Sequence, residues 1–413
     1  MGLTVSEKII SAHVGRQVRA GELVVTAVDG VMATDTTAPL ALKAFEAMGG
    51  IKVFDPSKCA LVLDHAVPPP NERIANLHKM MRLFAKEQGL KLFEIGEGIC
   101  HQVMVESSYV KPGHIFIGAD SHTPTYGAVN AFACGVGSTD LAATMMTGKI
   151  WLKVPKTIKI MCHGTLKAGV TAKDLILFLV GKISISGATY KAVEFEGSAF
   201  ANMTVASRMT IANMVAEMGG KSANVSAEGL VLPYSFDPVF ADDDADYEKI
   251  YEFDVSDISP QVAAPPSPDL VEDIDAHIGK PIDYAFIGTC CNGRLEDLQE
   301  AAHILRGKRI KEGVRMIIAP ASKQVMTDAI ADGTLQTLMD AGVSFITPGC
   351  GPCVGTHLGV PGDGEVVISA ANRNFRGRMG NPNAEIYLAA PATVAASALE
   401  GKITNPQELL ESV

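Results

Sequence analysis

Five short apolar runs in this chain each end on residues that can do chemistry. Ala60-Leu61-Val62-Leu63 runs into Asp64-His65, and Ile115-Phe116-Ile117-Gly118 into Asp120-Ser121-His122. Ala285-Phe286-Ile287-Gly288-Thr289 runs into Cys290. Residues 343–347 lead through Pro348-Gly349 to Cys350-Gly351-Pro352-Cys353, and residues 365–369 lead to Asn372-Arg373. Strands that alternate with helices build a mostly parallel sheet, because a crossover helix is what returns the chain to the start of the next parallel strand. In such sheets ligands bind in the crevice outside the carboxyl ends of the strands. Polar and titratable groups at five strand ends therefore imply one shared crevice.

The segments between agree with an α/β fold. Residues 71–88 place Ile74, Leu77, Met81 and Phe84 on one helical face. Lys91 to Ile95 reads as a strand, followed by a glycine-rich turn and then Cys100-His101. Gly135-Val136-Gly137-Ser138 opens a helix of small residues, and Thr171 with Asp174 three positions on predicts the start of another. Strands are expected at 284–289, 314–319, 343–347 and 365–369, with helices at 295–306, 322–331 and 392–400. Residues 256–272, with Ser259-Pro260 and Pro265-Pro266-Ser267-Pro268, read as a linker. A length of 413 residues accommodates two or three domains, and the pattern divides into units at 1–155, 156–265 and 266–413.

A net charge of −11 argues against a nucleic-acid or anionic-membrane partner. An anionic substrate would need cations gathered locally, and residues 372–378 supply Arg373, Arg376 and Arg378 after a strand. The longest apolar run, residues 175–180, is far too short to span a bilayer. Gly2 and Ser6 fit the loose myristoylation pattern, but the surrounding residues read as the start of a soluble helix. Asp242-Asp243-Asp244 reads as a solvated acidic loop. Eight cysteines are too few for a disulfide scaffold in a chain this long, which points to a reducing, cytoplasmic setting.

Cys290 and the Cys350–Cys353 pair lie about sixty residues apart in similar settings, which suggests one ligand set. Three thiolates suit an iron–sulfur cubane in which one iron keeps no protein ligand and is free to act as a Lewis acid. Two other readings remain. Cys-Gly-Pro-Cys is also the tetrapeptide of thiol–disulfide oxidoreductases, although those place it at the start of a helix in a small domain. With Cys290 it also makes a zinc ligand set. Cys291 is adjacent to Cys290, and neighbouring side chains diverge, so one of the two is expected to ligate. Cys59, Cys100, Cys134 and Cys162 read as core or near-site thiols. His65 and His122 each have an aspartate within two residues on a strand-end turn, which fixes a tautomer and suits proton transfer. His78 and His303 lie within helices and read as structural.

Taken together, Asp64-His65, Cys100-His101-Gln102, Asp120-Ser121-His122-Thr123, Gly288-Thr289-Cys290-x-Asn292-Gly293-Arg294, Cys350-Gly351-Pro352-Cys353 and Asn372-Arg373-Asn374-Phe375-x-Gly377-Arg378 resemble the aconitase superfamily. Order and spacing are most similar to its isopropylmalate dehydratase and homoaconitase branch, in large-subunit form, and the resemblance covers essentially the whole chain. It implies three α/β domains with mostly parallel sheets around a [4Fe-4S] cluster held by Cys290, Cys350 and Cys353. It implies that Asp64 and His65 protonate a departing hydroxyl. Asp120 with His101, and His122 with Glu194, would be supporting pairs, while Arg373 and Arg378 clamp carboxylates beside Asn372. The activity implied is reversible dehydration or isomerisation of a 2-hydroxy dicarboxylate or tricarboxylate, in leucine biosynthesis for the isopropylmalate enzymes; a dimethylmalate dehydratase is a related alternative.

There are departures. The family usually has threonine where this chain has Cys291. Pro39 stands where aconitase proper has glutamine, which argues against citrate. The family's catalytic base is a serine on a swivelling domain that follows the region matched here. The chain ends at Val413, so that domain is expected on a small partner subunit. Some relatives bind RNA instead of catalysing, but the acidic charge weighs against that.

Overall fold

The computed structural model describes residues 2–410, arranged on three main sheets and one small ribbon. In the first sheet the strands run in the order Lys91–Phe93, Cys59–Val62, Gly30–Thr34, Ile115–Gly118 and Phe132–Gly135, all parallel. Strands buried on both faces carry unbroken apolar runs, and every residue of Gly30–Thr34, Cys59–Val62 and Ile115–Gly118 is buried. The helix Glu72–Gln88 covers one face. Asn71 accepts the amide of Ile74 at its start, and Gly89 closes it in the left-handed conformation. Its buried stripe is His78, Met81 and Ala85, with Ile74, Leu77 and Phe84 half-buried beside it.

The second sheet orders Ser222–Val225, Ala192–Glu196, Thr157–His163 and Lys249–Asp254, again all parallel. The helix Ala172–Ile183 packs on it through Leu175, Ile176, Leu179 and Val180. Thr171 and Asp174 form the capping box that the sequence predicts. Asp174 also accepts the amide of Gln261 at 2.9 Å, which ties this helix to the third sheet.

The third sheet has seven strands, in the order Val271–Asp273, Gln261–Ala263, Glu385–Leu388, Val366–Ser369, Tyr284–Gly288, Arg315–Ala319 and Ser344–Phe345. Its last five are parallel, and Gln261–Ala263 is antiparallel to both neighbours. Residues 256–272 are therefore not a linker. Gln261, Val262 and Ala263 are buried in this sheet, and Pro265, Pro266 and Pro268 occupy the hairpin turn closed by the Ala264 amide on the Leu270 carbonyl at 2.8 Å. A proline lacks an N–H and is tolerated in such a turn at a sheet margin. Leu23–Ala27 pairs antiparallel with Lys149–Lys153 in the separate ribbon.

The acidic loop is solvated, as the sequence reading expects, with Asp243 and Asp244 exposed. Asp242 accepts the Leu3 amide at 2.7 Å and pairs with Lys8, and the Asp244 carbonyl accepts the Gly2 amide. It pins the start of the chain. Among the described residues no helix is long and apolar enough to cross a membrane.

The first and second sheets meet where the turn Thr123–Val129 lies on the strand Ser222–Val225. A Cβ at Gly127 would fall 1.9 Å from the Ala223 carbonyl oxygen, so the backbones touch there. Gly127→Ala is expected to lower stability by at least about 2 kcal/mol in chemical denaturation, since this overpacking can be relieved only by backbone movement. A change below about 0.5 kcal/mol would show that the contact is not tight.

Candidate active site

The carboxyl ends of the first sheet build a bank of imidazoles and carboxylates. Asp35 follows the strand Gly30–Thr34, and its carboxylate accepts the amides of His65 (2.9 Å) and Ala66 (2.8 Å), more weakly that of Asp64 (3.4 Å), and faces His78 Nε2 at 3.1 Å. Burial opposes its charge, but His78, His65 and the two amides hold its pKa down at about 2. The turn Asp64-His65-Ala66 is thus gripped from behind. His65 Nδ1 lies 2.7 Å from Asp64 Oδ1, and its Nε2 lies 3.3 Å from Asp120 Oδ2. The other Asp120 oxygen meets His101 Nε2 at 2.9 Å and accepts the His122 amide at 2.7 Å. Burial again opposes the charge of Asp120, but His101, His122 and His65 hold its pKa well below the usual range. Burial disfavours a charged His65; Cys350, Asp64 and Asp120 outweigh it and raise its pKa well above normal.

The third sheet supplies thiols to the same place. Cys290 sits on the short turn Thr289–Asn292 after Tyr284–Gly288, where Thr289 is held at φ 67°. Cys350 precedes, and Cys353 belongs to, the 3₁₀ turn Gly351–Val354. The Cys350 amide donates to the Asp64 carbonyl at 2.7 Å, which joins the first and third sheets at their carboxyl ends. A Cβ at Gly349 would lie 2.8 Å from that carbonyl, so the close approach needs glycine.

Shared partners show the three thiols converging. The Asn372 side chain lies 3.7 Å from Cys290 Sγ and 3.8 Å from Cys353 Sγ, and His65 reaches Cys350. Asn213 donates to Cys290 Sγ at 3.3 Å, and Arg378 approaches Cys353 Sγ at 3.9 Å. All three are buried and free of disulfides. Burial, then Cys350 and Cys353, push the Cys290 thiol well above its usual pKa, and burial takes Cys350 to about 12 against the pull of His65. Cys100 shares an apolar cluster with Cys290 and Cys350, and its amide donates to Asp64. Cys291 turns the other way, with its sulfur 3.3 Å from Lys173 Nζ.

On the remaining side, Glu217 joins His122 to Arg373. His122 Nε2 lies 2.9 Å from Glu217 Oε1, and Arg373 Nε donates to Glu217 at 2.9 and 3.0 Å. This corrects the expected pairing of His122 with Glu194. Glu194 lies in the strand Ala192–Glu196, where it accepts the Ser6 amide and the Tyr247 hydroxyl, and burial raises its pKa to about 7. Arg376, the third guanidinium of its loop, is exposed and donates to the Pro382 carbonyl, away from the thiols.

Two trios, Asp64/His65/Cys350 and His101/Asp120/His122, are each close enough to hold a metal ion. Short hydrogen bonds already link their histidines to carboxylates, which suits proton transfer. The three cysteines have no carboxylate bonded to sulfur, and they are the soft donor set. Sequence reasoning missed Asp35, Asn213 and Glu217. Asp35 obeys the strand-end rule and could have been found by it. Asn213 and Glu217 lie at the end of the helix Val205–Asn213 and in the 3₁₀ turn Met214–Met218, where no positional signal exists.

The model of the aconitase family (aconitate hydratase) matches residues 7–401, so the chain belongs to that family. A chain of Elusimicrobium minutum named 3-isopropylmalate dehydratase large subunit is 47% identical over 419 residues, covering 100% of both chains. The homoaconitase large subunit of Thermus thermophilus is 46% identical over 414 residues, covering 100% of this chain and 99% of its own. The crystal structure of Thermococcus kodakaraensis aconitase X superposes with a TM-score of 0.51 at 15% identity, over 91% of this chain and 94% of that one, and shares the fold.

Replacing the two glutamates separates their roles. Glu217→Gln is expected to reduce turnover at least tenfold, because His122 and Arg373 both lose their charged partner. Glu194→Gln is expected to leave turnover unchanged. A carboxyl whose pKa is higher in the folded chain costs stability as pH rises from its unfolded value toward 7. Glu194→Gln should therefore raise stability by about 2 kcal/mol at pH 8 and not at pH 4.5, read from denaturation midpoints. Lost turnover in Glu194→Gln with normal turnover in Glu217→Gln would reverse the assignment.

Proposed function

We propose that this member of the aconitase family is the cluster-bearing large subunit of a 3-isopropylmalate dehydratase. It would remove water from a 2-hydroxy dicarboxylate and return it on the neighbouring carbon. The observation that carries the reading is the gathering of Cys290, Cys350 and Cys353 at the strand ends that also hold His65 and Arg373. The full-length likeness to large subunits of that name supports it.

The donor set fits a [4Fe-4S] cluster. The buried Cys290 and Cys350 thiols resist ionising, and thiolates become favourable there when iron takes their charge; Asn213, Asn372 and Arg378 direct N–H groups at the Cys290 and Cys353 sulfurs. When bound, such a cluster supplies an iron without a protein ligand, which acts as a Lewis acid toward the substrate hydroxyl. The chain's own residues do the rest. His65 holds a proton, with Asp64 fixing Nδ1, and gives it to the departing hydroxyl. Asp120 orients both His65 and His101. Glu217 holds Arg373 by its Nε, leaving the terminal nitrogens for a substrate carboxylate, and Arg378 supplies a second cation. The proton alpha to a carboxylate is assigned to a base on a small subunit, in keeping with the large-subunit names of the relatives. The eight free cysteines suit a reducing, cytoplasmic setting.

A second reading, homoaconitase large subunit, rests on the relative from Thermus thermophilus at 46% identity. A turnover panel of the anaerobically reconstituted two-subunit enzyme on isopropylmalate, homoaconitate, citrate and dimethylmalate decides between them. Isopropylmalate is expected to lead by at least tenfold in kcat/KM, and His65→Gln to cost roughly 10²–10⁴ in kcat. A lead for homoaconitate would favour the second reading. Full turnover by this chain alone would remove the partner from the account.

A further inference from the structure

We infer that Lys173 is a positioning residue that sets the Cys290 turn against the arginine loop. Lys173 opens the helix Ala172–Ile183 beside the second sheet and is 0% exposed. Its ammonium has three hydrogens and three acceptors. Nζ lies 2.6 Å from the Ala371 carbonyl, 3.0 Å from the Ala370 carbonyl and 3.3 Å from Cys291 Sγ. The two carbonyls immediately precede Asn372 and Arg373, and Cys291 immediately follows Cys290. One side chain therefore grips the two loops that carry the thiol and the substrate clamp, and it does so from a third element.

The choice of partners matters. Asp174, the next residue, gives its hydrogen bonds to the capping box and to Gln261 and acts on Lys173 only through space. A fully buried ammonium with no carboxylate among its hydrogen-bond acceptors is costly unless its hydrogens are all used, and here they are. A salt bridge would have served stability as well. A cation spent on two loop carbonyls and a thiol serves the relative placement of the loops. Arg294 holds the same turn from the far side, donating to the Cys290 and Cys291 carbonyls and to Thr210 Oγ1. Between these two cations the turn has little freedom, even with Thr289 at a positive φ. Cys291 is the sulfur acceptor that lets Lys173 reach this turn, which gives a role to the position where the family usually has threonine.

This inference rests on the proposed reading of the cysteines as ligands, but its first test does not need the cluster. In the iron-free chain, alkylation of each cysteine by iodoacetamide is followed by mass spectrometry. Lys173→Met, which keeps the length and removes the charge, is expected to speed alkylation of Cys290 at least fivefold and that of Cys353 less than twofold. Lys173→Arg should recover part of the protection. Equal acceleration at both cysteines, or at neither, overturns the hold on the turn. In the reconstituted two-subunit enzyme, Lys173→Met is expected to raise KM at least tenfold while kcat changes less than threefold, and an unchanged KM overturns the hold on the arginine loop. Should Lys173→Met be insoluble, Cys291→Ala is expected to speed Cys290 alkylation at least twofold, and no change overturns the inference. A wild-type chain that takes up no iron would count against the proposed function and leave the alkylation result standing.

Discussion

The amide of Cys350 donating to the carbonyl of Asp64 is the contact on which the site depends. It brings the thiol loop of the third sheet against the histidine turn of the first, with no side chain between them because residue 349 is glycine. Asp35 fixes one side of this seam by taking the amides of His65 and Ala66, and Thr356 Oγ1 donates to the His65 carbonyl from the other. Two strand-end loops that would otherwise be mobile are thus locked as one surface. A proton donor and a thiol are held in contact there without either side chain having to supply the fastening.

Around that seam, charge is arranged against the run of the whole molecule. The chain carries a net charge of −11, yet His65, Arg294, Arg373, Arg378 and Lys173 converge on a few loops. Their partners are specific. Glu217 serves Arg373 and His122 together, and Asp120 serves His65 and His101. A low local dielectric strengthens each of these bonds and penalises any that is broken. The result is a pre-set electrostatic surface suited to an anionic substrate and to a group that draws negative charge onto sulfur.

Much of this was legible in the residues, and the reason is positional. A parallel sheet delivers its strand ends to one side, so Asp64-His65, Asp120 and His122 on the first sheet, and Cys290, Cys350 and Asn372-Arg373 on the third, could each be grouped from apolar runs alone. The helix 72–88 and the Thr171–Asp174 cap were legible for a similar reason, since periodicity and capping are local. What failed was long-range. Glu217 reaches His122 across 95 positions from a helical end that carries no sequence signal, and Glu194 carries the right chemistry in a strand that faces the N-terminal helix. The proline-rich stretch 256–272 looked like a linker because composition does not reveal pairing partners, and Gln261–Ala263 finds its neighbours at 271–273 and at Leu388.

The central claim is that Cys290, Cys350 and Cys353 together hold one iron–sulfur group. The most direct measurement is an anomalous difference map at the iron edge from crystals of the anaerobically reconstituted chain. The account requires a single iron peak cluster within bonding distance of these three sulfurs, with one iron lacking a protein ligand and facing His65. Iron bound instead within the Asp64/His65/Cys350 or His101/Asp120/His122 trio, or no iron density near Cys290, would contradict it.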